Sequence, residues 1–396
     1  MSDSATPSVL YLTPDGLTDP LGQSQILPYI TGLARHFTIT VVSFEKKDRF
    51  ELHRAAIQKI CRDAGIQWVP LRYHSRPPVL STMLDLQRLK SCVAVLQKRH
   101  QFKIVHARSY LVSLVAVWLK QKFGVRFLFD MRGFWADERI EGGIWNARNP
   151  LYQRAYSYFK KKEKIFLQQA DHIISLTHNA RNEILSWKIT NAEVTVIPTC
   201  VDLSLFNPAI IDAQAQNQLR SALKIDPSDF VVIYVGSTGT WYRIDDTYEL
   251  FCEVRRQSTR ARLLFVTKDD VPSKIKADHD AIICSADRSE VPLYLSLARV
   301  SVCLIAPSFS KKASAATKMA ESWAMNVPVI TNRGWGDVDV LSGKFPLFYF
   351  DEDRVNSVKK ILQGIEAVAH PDMSYFDLAN GVKEYTRVYR QLLQLH

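Results

Sequence analysis

DFVVIYVGSTGTWYR, residues 229–243, runs from an acidic turn through six apolar residues into a glycine-containing loop. A short unbroken apolar run bounded by turn residues predicts a strand buried on both faces, the kind found in parallel sheets. Gly236 and Gly239 open the turn, Ser237, Thr238 and Thr240 supply hydroxyls, and Arg243 follows as a cation. Small residues, hydroxyls and a cation after a strand suit a diphosphate. No Gly-Lys-Ser/Thr follows, so this is not a Walker loop.

The same alternation of short apolar runs and amphipathic segments extends in both directions. The first half predicts strands at Ser8–Leu12, Thr38–Ser43, Gln67–Pro70, Ile104–His106, Phe127–Asp130, His172–Leu176 and Val194–Pro198. Helices are expected at about Gln25–Arg35, Phe50–Ala64, Met83–Arg99, Leu111–Phe123, Leu151–Gln169 and Asn179–Ser186. In the second half, strands are predicted at Phe230–Val235, Arg262–Thr267, Ala281–Cys284, Val302–Ile305, Val327–Thr331 and Leu347–Phe350. Its helices are expected near Asp245–Gln257, Val291–Leu297, Thr317–Met325 and Arg354–Ala367. Ser204–Asp229 has the composition of a linker with a short helix, and Tyr375–Leu395 that of one amphipathic helix. With 396 residues, the chain is expected to form two α/β domains, each doubly wound and Rossmann-like, facing a central cleft. The expected boundaries are 1–205, 206–374 and a terminal helix, 375–396, packing back on the first domain. Such sheets bind ligands at the carboxyl ends of their strands, so the turns after strands carry the functional reading.

Three further turns stand out. Thr13–Gln25, TPDGLTDPLGQSQ, places Gly16, Gly22, Gln23 and Ser24 before a helix. It lacks GxGxxG, the dinucleotide fingerprint. Asp130–Glu141, DMRGFWADERIE, brings Asp130, Arg132, Gly133, Trp135, Asp137 and Glu138 to the end of a strand. Asp130 or Asp137 is a candidate base or a carboxylate orienting a substrate hydroxyl. Ala306–Ile330 carries Ser310, Lys311, Lys312 and Ser314, then starts a helix at Thr317, with Lys318 and Glu321 on one face. A lysine opposes the dipole at a helix start, which makes sense beside a bound anion. A plain Lys–Glu surface pair is the other reading of that spacing.

Charge is unevenly distributed. The chain carries a net +11, with 51 Lys and Arg against 40 Asp and Glu. Residues 1–205 hold 28 basic and 17 acidic side chains, whereas residues 206–396 hold 23 of each. The excess concentrates in residues 88–164, with 17 basic and 5 acidic. A one-sided charge of this kind points to an anionic partner such as a membrane surface or nucleic acid. The start MSDSATPSVLYL has no basic n-region and is not read as a signal peptide. The longest apolar stretch, Leu111–Leu119 around Ser113, is too short for a bilayer span. Six scattered cysteines suggest neither a zinc site nor a disulfide framework, and a reduced, cytoplasmic setting is expected. The ten histidines form no HxxH or HxxxH, and Asp337-Val338-Asp339, though a DxD, is not read as a metal site.

Together these motifs resemble the GT-B-fold glycosyltransferases of family 4, over nearly the whole chain. VTVIPTCVDLSLFNP (Val194–Pro208) is similar to that family's inter-domain segment, with Cys200 in place of glycine. DFVVIYVGSTGTWYR resembles the start of its donor domain, and SAATKMAESWAMNVPVI (Ser314–Ile330) its signature, in the SPTK-type form. The resemblance implies a retaining transferase that moves a sugar from a UDP- or GDP-sugar to a saccharide or lipid-linked saccharide, as in bacterial envelope or exopolysaccharide synthesis. Glu321 falls on the glutamate that binds the nucleotide's ribose, and Lys318 on the lysine facing the donor phosphates. Ala313 replaces the family's first glutamate, Ser237 replaces its arginine, and DMRGFW replaces its HD-type turn.

The donor set implied is Gly236, Ser237, Thr238, Gly239, Arg243, Lys268, Ser310, Lys311, Ser314, Thr317, Lys318 and Glu321. The acceptor set is Gly22, Gln23, Ser24, Arg108, Asp130, Arg132, Trp135 and Asp137. Asp130, Arg132, Lys318 and Glu321 are the expected catalytic group. Fixed cations stabilise a leaving diphosphate, so no metal and no cofactor beyond the nucleotide sugar is expected. The basic 88–164 segment, with stretches such as LYQRAYSYFKKKEKIF, is expected to lie on anionic lipid at the inner face of the plasma membrane. Two rivals are a GT-B-fold sugar-nucleotide epimerase and a non-catalytic nucleic-acid-binding protein using the basic half. The phosphate-facing turns of the neutral half argue against the second.

Overall fold

A computed structural model describes residues 6–77, 79–365 and 369–394. The chain divides into two compact units, residues 1–198 with 378–396, and residues 199–377. The first unit therefore consists of two separate pieces of chain. Its second piece is the helix Leu378–Gln394, which packs on the helix Leu27–Leu33.

The first unit is built on a seven-stranded sheet. In chain order the strands are β1 (Ser8–Thr13), β2 (Thr38–Glu45), β3 (Gln67–Arg72), β4 (Ile104–Arg108), β5 (Arg126–Asp130), β6 (His172–Ser175) and β7 (Glu193–Val196). Their spatial order is β3-β2-β1-β4-β5-β6-β7, and every pairing is parallel. The order reverses between β1 and β4, the switch point of a doubly wound sheet. Val9, Leu10, Leu12, Ile39, Val41, Ile104, Val105, Phe127, Leu128 and Phe129 are fully buried, as both faces of the sheet are covered.

The second unit repeats the plan with six parallel strands: β8 (Phe230–Val235), β9 (Ala261–Val266), β10 (Ala281–Cys284), β11 (Val300–Cys303), β12 (Val329–Thr331) and β13 (Leu347–Tyr349). Their order is β10-β9-β8-β11-β12-β13, so this switch point lies between β8 and β11. One core cluster contains Val231, Ile233, Leu264, Met319 and Trp323, and the other Val232, Tyr234, Phe251, Phe265 and Val358. The alternation along β8 thus sends successive side chains to opposite cores.

Several local expectations are corrected. The helix expected at Gln25–Arg35 is two helices, Pro20–Gln25 and Leu27–Leu33. Pro28 has no N–H to continue the first, and the chain bends at Ile26. Gly22, Gln23 and Ser24 therefore lie inside a helix and not in a turn before one. Trp135–Glu141 is helical, with Asp137 and Glu138 in its first turn, where their charge suits the dipole. The final helix starts at Leu378, after a 3-10 turn at Met373–Phe376. The ends expected at Ala367 and Leu395 lie outside the described residues. In the linker, Asp212 caps the helix Ala213–Leu223 by accepting from the amides of Gln214 and Ala215. No helix among the described residues is long and apolar enough to cross a membrane.

Candidate functional site

At the second unit's switch point, the exits of β8 and β11 are laced together. Arg243 N donates to Leu304 O at 3.1 Å and Ala306 N to Trp241 O at 2.8 Å. Gly236 follows β8 with φ +112, a conformation that glycine adopts without strain. A Cβ at Gly236 would lie 3.3 Å from the Lys318 ammonium, so glycine lets that side chain approach the turn.

Lys318 is the second residue of the helix Thr317–Ala324. Its side chain is buried, and Nζ has no hydrogen-bond partner among the described residues. The ammonium instead sits 4.2 Å from the centre of the Tyr234 ring and 3.9 Å from that of Tyr242. Both faces offer negative quadrupole density, which partly replaces water. Burial nevertheless drags the lysine down to about 8, against the pull of Cys303 and Glu321. A buried cation with no hydrogen-bond partner among the described residues, beside a glycine turn, is a place where an anion would be stabilised.

One turn deeper, Glu321 accepts a 2.6 Å bond from Arg288 Nη1, whose guanidinium also lies over Phe206. Lys311 is buried with its Nζ 3.8 Å from the Trp241 ring centre. Ser310 is buried beside it, and Ser314 presses its carbonyl against Gly336, where a Cβ would come within 2.4 Å.

Other residues of the expected donor set are engaged elsewhere. Ser237 Oγ and the Thr238 amide both donate to the Asp269 carboxylate, at 2.6 and 2.9 Å, and Gly239 N donates to Ser237 Oγ. That part of the turn already holds an anion from its own chain. Arg243 pairs with Asp246 at 2.8 Å, and Lys268 with Asp287 at 2.5 Å on the surface. The structure thus gathers Gly236, Lys311, Lys318 and Glu321 around the exits of β8 and β11, and directs Arg243 and Lys268 to other partners. Of the DxD, Asp339 pairs with Arg333 at 2.9 Å, and Asp337 is buried ahead of the short helix Val338–Leu341.

The first unit carries its own polar centre where β4 and β5 end. Asp130 is 0 % exposed. Its Oδ2 accepts from Tyr385 Oη at 3.1 Å and lies 3.3 Å from His106 Nε2. Arg108 and Arg132 approach it to 3.7 and 3.8 Å. Burial pushes the Asp130 carboxyl up, but Arg132, His106 and Arg108 together outweigh burial and hold it at about 2. Burial lowers His106, so its ring is neutral, and Asp130 fixes the proton on Nε2. Nδ1 is then the acceptor for Tyr389 Oη at 2.7 Å. Arg132 has φ +57 and is followed by Gly133 at +135, a tight reversal that turns the guanidinium back toward Asp130.

Such a carboxylate is a weak base in a closed place. Its chemistry here is to anchor two arginines. Asp137, the other candidate, accepts from Tyr156 and Lys160 at 2.9 and 2.8 Å and so fastens two helices together. Trp135 packs among Tyr110, Trp145 and Phe159. In the Pro20–Gln25 helix, Gln23 Nε2 donates to Thr18 O, and a Cβ on Gly22 would strike Gly16 O at 1.9 Å. That glycine serves close packing. Sequence reading missed His106, Tyr242, Arg288, Tyr385 and Tyr389. The two tyrosines were detectable only as apolar positions four apart on an amphipathic helix, and Arg288 belongs to no motif.

Residues 27–205 match the model of Glycosyltransferase Family 4. No curated protein matches in sequence. Among solved structures, a glycosyltransferase from Rickettsia africae is similar with a TM-score of 0.70 at 13% identity, covering 98% of this chain and 99% of its own. Sucrose-phosphate synthase from Thermosynechococcus elongatus follows at 0.66 and 16%, covering 98% and 100%. Anabaena Alr3699/HepE in complex with UDP-glucose gives 0.62 at 10%, covering 98% of each chain. At these identities the likeness concerns the fold.

Proposed function

From the match of residues 27–205 to the model of Glycosyltransferase Family 4, we propose that this chain is a retaining, metal-independent transferase of the GT-B fold. It takes a sugar from a UDP- or GDP-sugar and passes it to a saccharide or lipid-linked saccharide in envelope or exopolysaccharide synthesis. The observation that carries this reading is the buried, unpartnered Lys318 ammonium beside Gly236.

When the sugar–phosphate bond breaks, negative charge accumulates on the diphosphate. A cation already desolvated and fixed there loses no reorganisation energy as that charge appears. Lys318 fills this role, with Lys311 near it. Glu321, steadied by Arg288, takes the ribose hydroxyls. In the first unit, Arg108 and Arg132 orient the acceptor, and Asp130 sets their positions without itself removing a proton. The acceptor's lipid, in this reading, sits in an anionic bilayer at the inner face of the plasma membrane.

A panel of UDP-, GDP- and other nucleotide sugars in a thermal-shift assay tests the donor half. At least one nucleotide sugar should raise the melting temperature, with chelator present, and Lys318→Met should reduce the rise at a given ligand concentration. No stabilisation by any member of the panel would sink the transferase reading. Isomerised sugar nucleotide formed without an acceptor would instead favour an epimerase.

A further inference from the structure

We propose that the carboxylate of Asp269 is a resident anion of the donor turn, which a nucleoside diphosphate must displace or oppose in order to bind. This rests on the transferase reading above and names a residue that sets how strongly the site holds a diphosphate.

The turn after β8 is built to receive negative charge. Just past Gly236 it offers the hydroxyl of Ser237 and the amides of Thr238 and Gly239, and neighbouring amides in a tight turn form an anion-binding concavity. Asp269, at the exit of the adjacent strand β9, fills it. Its Oδ2 accepts from Ser237 Oγ at 2.6 Å and from Thr238 N at 2.9 Å. Ser237 Oγ in turn accepts from Gly239 N at 3.2 Å, so all three donors are engaged, directly or through the hydroxyl, by one carboxylate. The bond from Ser237, and then that from Thr238, holds the carboxyl below its ordinary value, so it is ionised at neutral pH.

The turn has other supports for its shape. Tyr234 Oη donates to Ser237 O, Thr238 Oγ1 to Asp270 O at 3.0 Å, and Tyr242 N to Gly239 O at 2.9 Å. Thr238 therefore stays tied to the exit of β9 through the backbone when the Asp269 side chain swings away. That side chain is exposed and has no ion pair among the described residues. The cations beside it, Lys268 and Lys276, hold Asp287 and Asp270, each at 2.5 Å.

Its charge reaches the site of Lys318. Burial raises the Tyr234 hydroxyl, and Tyr242, Cys303 and the Asp269 charge add to that effect, so the carboxylate is felt at a ring that faces the ammonium. Ser237 directly follows Gly236, the residue against which Lys318 lies. An anion drawn to the ammonium meets a second negative charge one residue further along the turn, and the two repel.

Titration calorimetry of the full chain with UDP, GDP, uridine and guanosine tests the proposal. Asp269→Asn keeps an oxygen for both donors and removes only the charge. It should bind the nucleoside diphosphate about threefold or more tightly than the wild type at low salt, and the gain should shrink as salt is added. Asp269→Ala, which also frees Ser237 Oγ and Thr238 N for the phosphates, should gain at least as much. The nucleosides should bind all three proteins alike. Asp270→Asn removes a neighbouring exposed charge already paired with Lys276 and should bind as the wild type. Unchanged or weaker diphosphate binding by Asp269→Asn overturns the proposal and leaves the transferase reading intact. An equal gain in Asp270→Asn, or a gain for the nucleosides, overturns it as well. If neither diphosphate binds the wild type or either Asp269 variant, the donor reading falls and this proposal falls with it.

Discussion

The ammonium of Lys318 rests 3.9 Å from the centre of the Tyr242 ring, on a residue that the glycine turn carries back across the exit of β11. The ring holds the cation in place of a carboxylate, which would have cancelled its charge. Tyr242→Leu should therefore weaken donor-nucleotide binding by about 0.5–2 kcal/mol, whereas Tyr242→Phe, which keeps the π face, should bind as the wild type. Lys318→Met should cost about 1.5–3 kcal/mol, roughly 10- to 100-fold in affinity. Titration calorimetry with the nucleotide diphosphate reads all three. Equal losses for Phe and Leu would show that the hydroxyl, and not the ring, matters.

The same lysine gives the free protein a specific pH response. Burial lowers it from 10.5 to about 8, so the ammonium is charged at neutral pH and loses its proton as pH rises through about 8. Diphosphate affinity should fall across that step in the wild type and stay flat in Lys318→Met. Between about 8 and 10.5 the unfolded chain holds more protons here than the folded one. This group's contribution to stability should therefore increase with pH over that window. Calorimetry at a series of pH values checks the first, and chemical denaturation of both proteins the second.

Arg288 and Glu321 form a pair in which only one partner was legible as a site residue. Their 2.6 Å contact steadies a mostly buried carboxylate. Arg288→Ala should raise the donor KM several-fold, a loss of about 1–2 kcal/mol, with a smaller effect on kcat. Glu321→Gln should do the same, and the double variant should lose less than the sum, because the two act on one contact. Strict additivity in steady-state kinetics would separate them.

Asp130 predicts an acid response of defined sign. Its folded carboxyl titrates near 2, below the ordinary 3.8. The stabilisation it gives is thus complete above about pH 4 and is lost as pH falls through about 2. Asp130→Asn leaves Arg108 and Arg132 without their shared partner and should cost about 3–5 kcal/mol at neutral pH. The gap between variant and wild type should narrow by about 2 kcal/mol as the pH approaches 2, as followed by urea denaturation. A gap that stays constant with pH would mean that Asp130 contributes packing alone.

All thirteen strands were legible because each is a short apolar run between polar punctuation, as in VVIYVG after Phe230. Helix limits were less so. Pro28 splits one helix, and Trp135–Glu141 hides in a segment whose charges suggested a loop. Within the site, Gly236 and Lys318 were legible since backbone approach and a cation at a helix start have local signatures. The ion pairs of Arg243 and Lys268 were not legible, because a cation near a strand end carries no mark of its partner, here Asp246 and Asp287. The contacts of Asp130 with Tyr385, and of His106 with Tyr389, join residues more than 250 positions apart, and no local pattern encodes them.

The second unit is inserted within the first, and this orders events during synthesis. Residues 199–377 leave the ribosome as a complete compact unit, whereas residues 1–198 must wait for the helix Leu378–Gln394. Until Tyr385, Val388, Tyr389 and Leu392 arrive, the nascent first unit keeps an open apolar side with Asp130 and His106 unsealed. The portion made first is thus the last to mature. A chain halted before residue 378 would expose a hydrophobic surface to chaperones, with the second unit already able to fold.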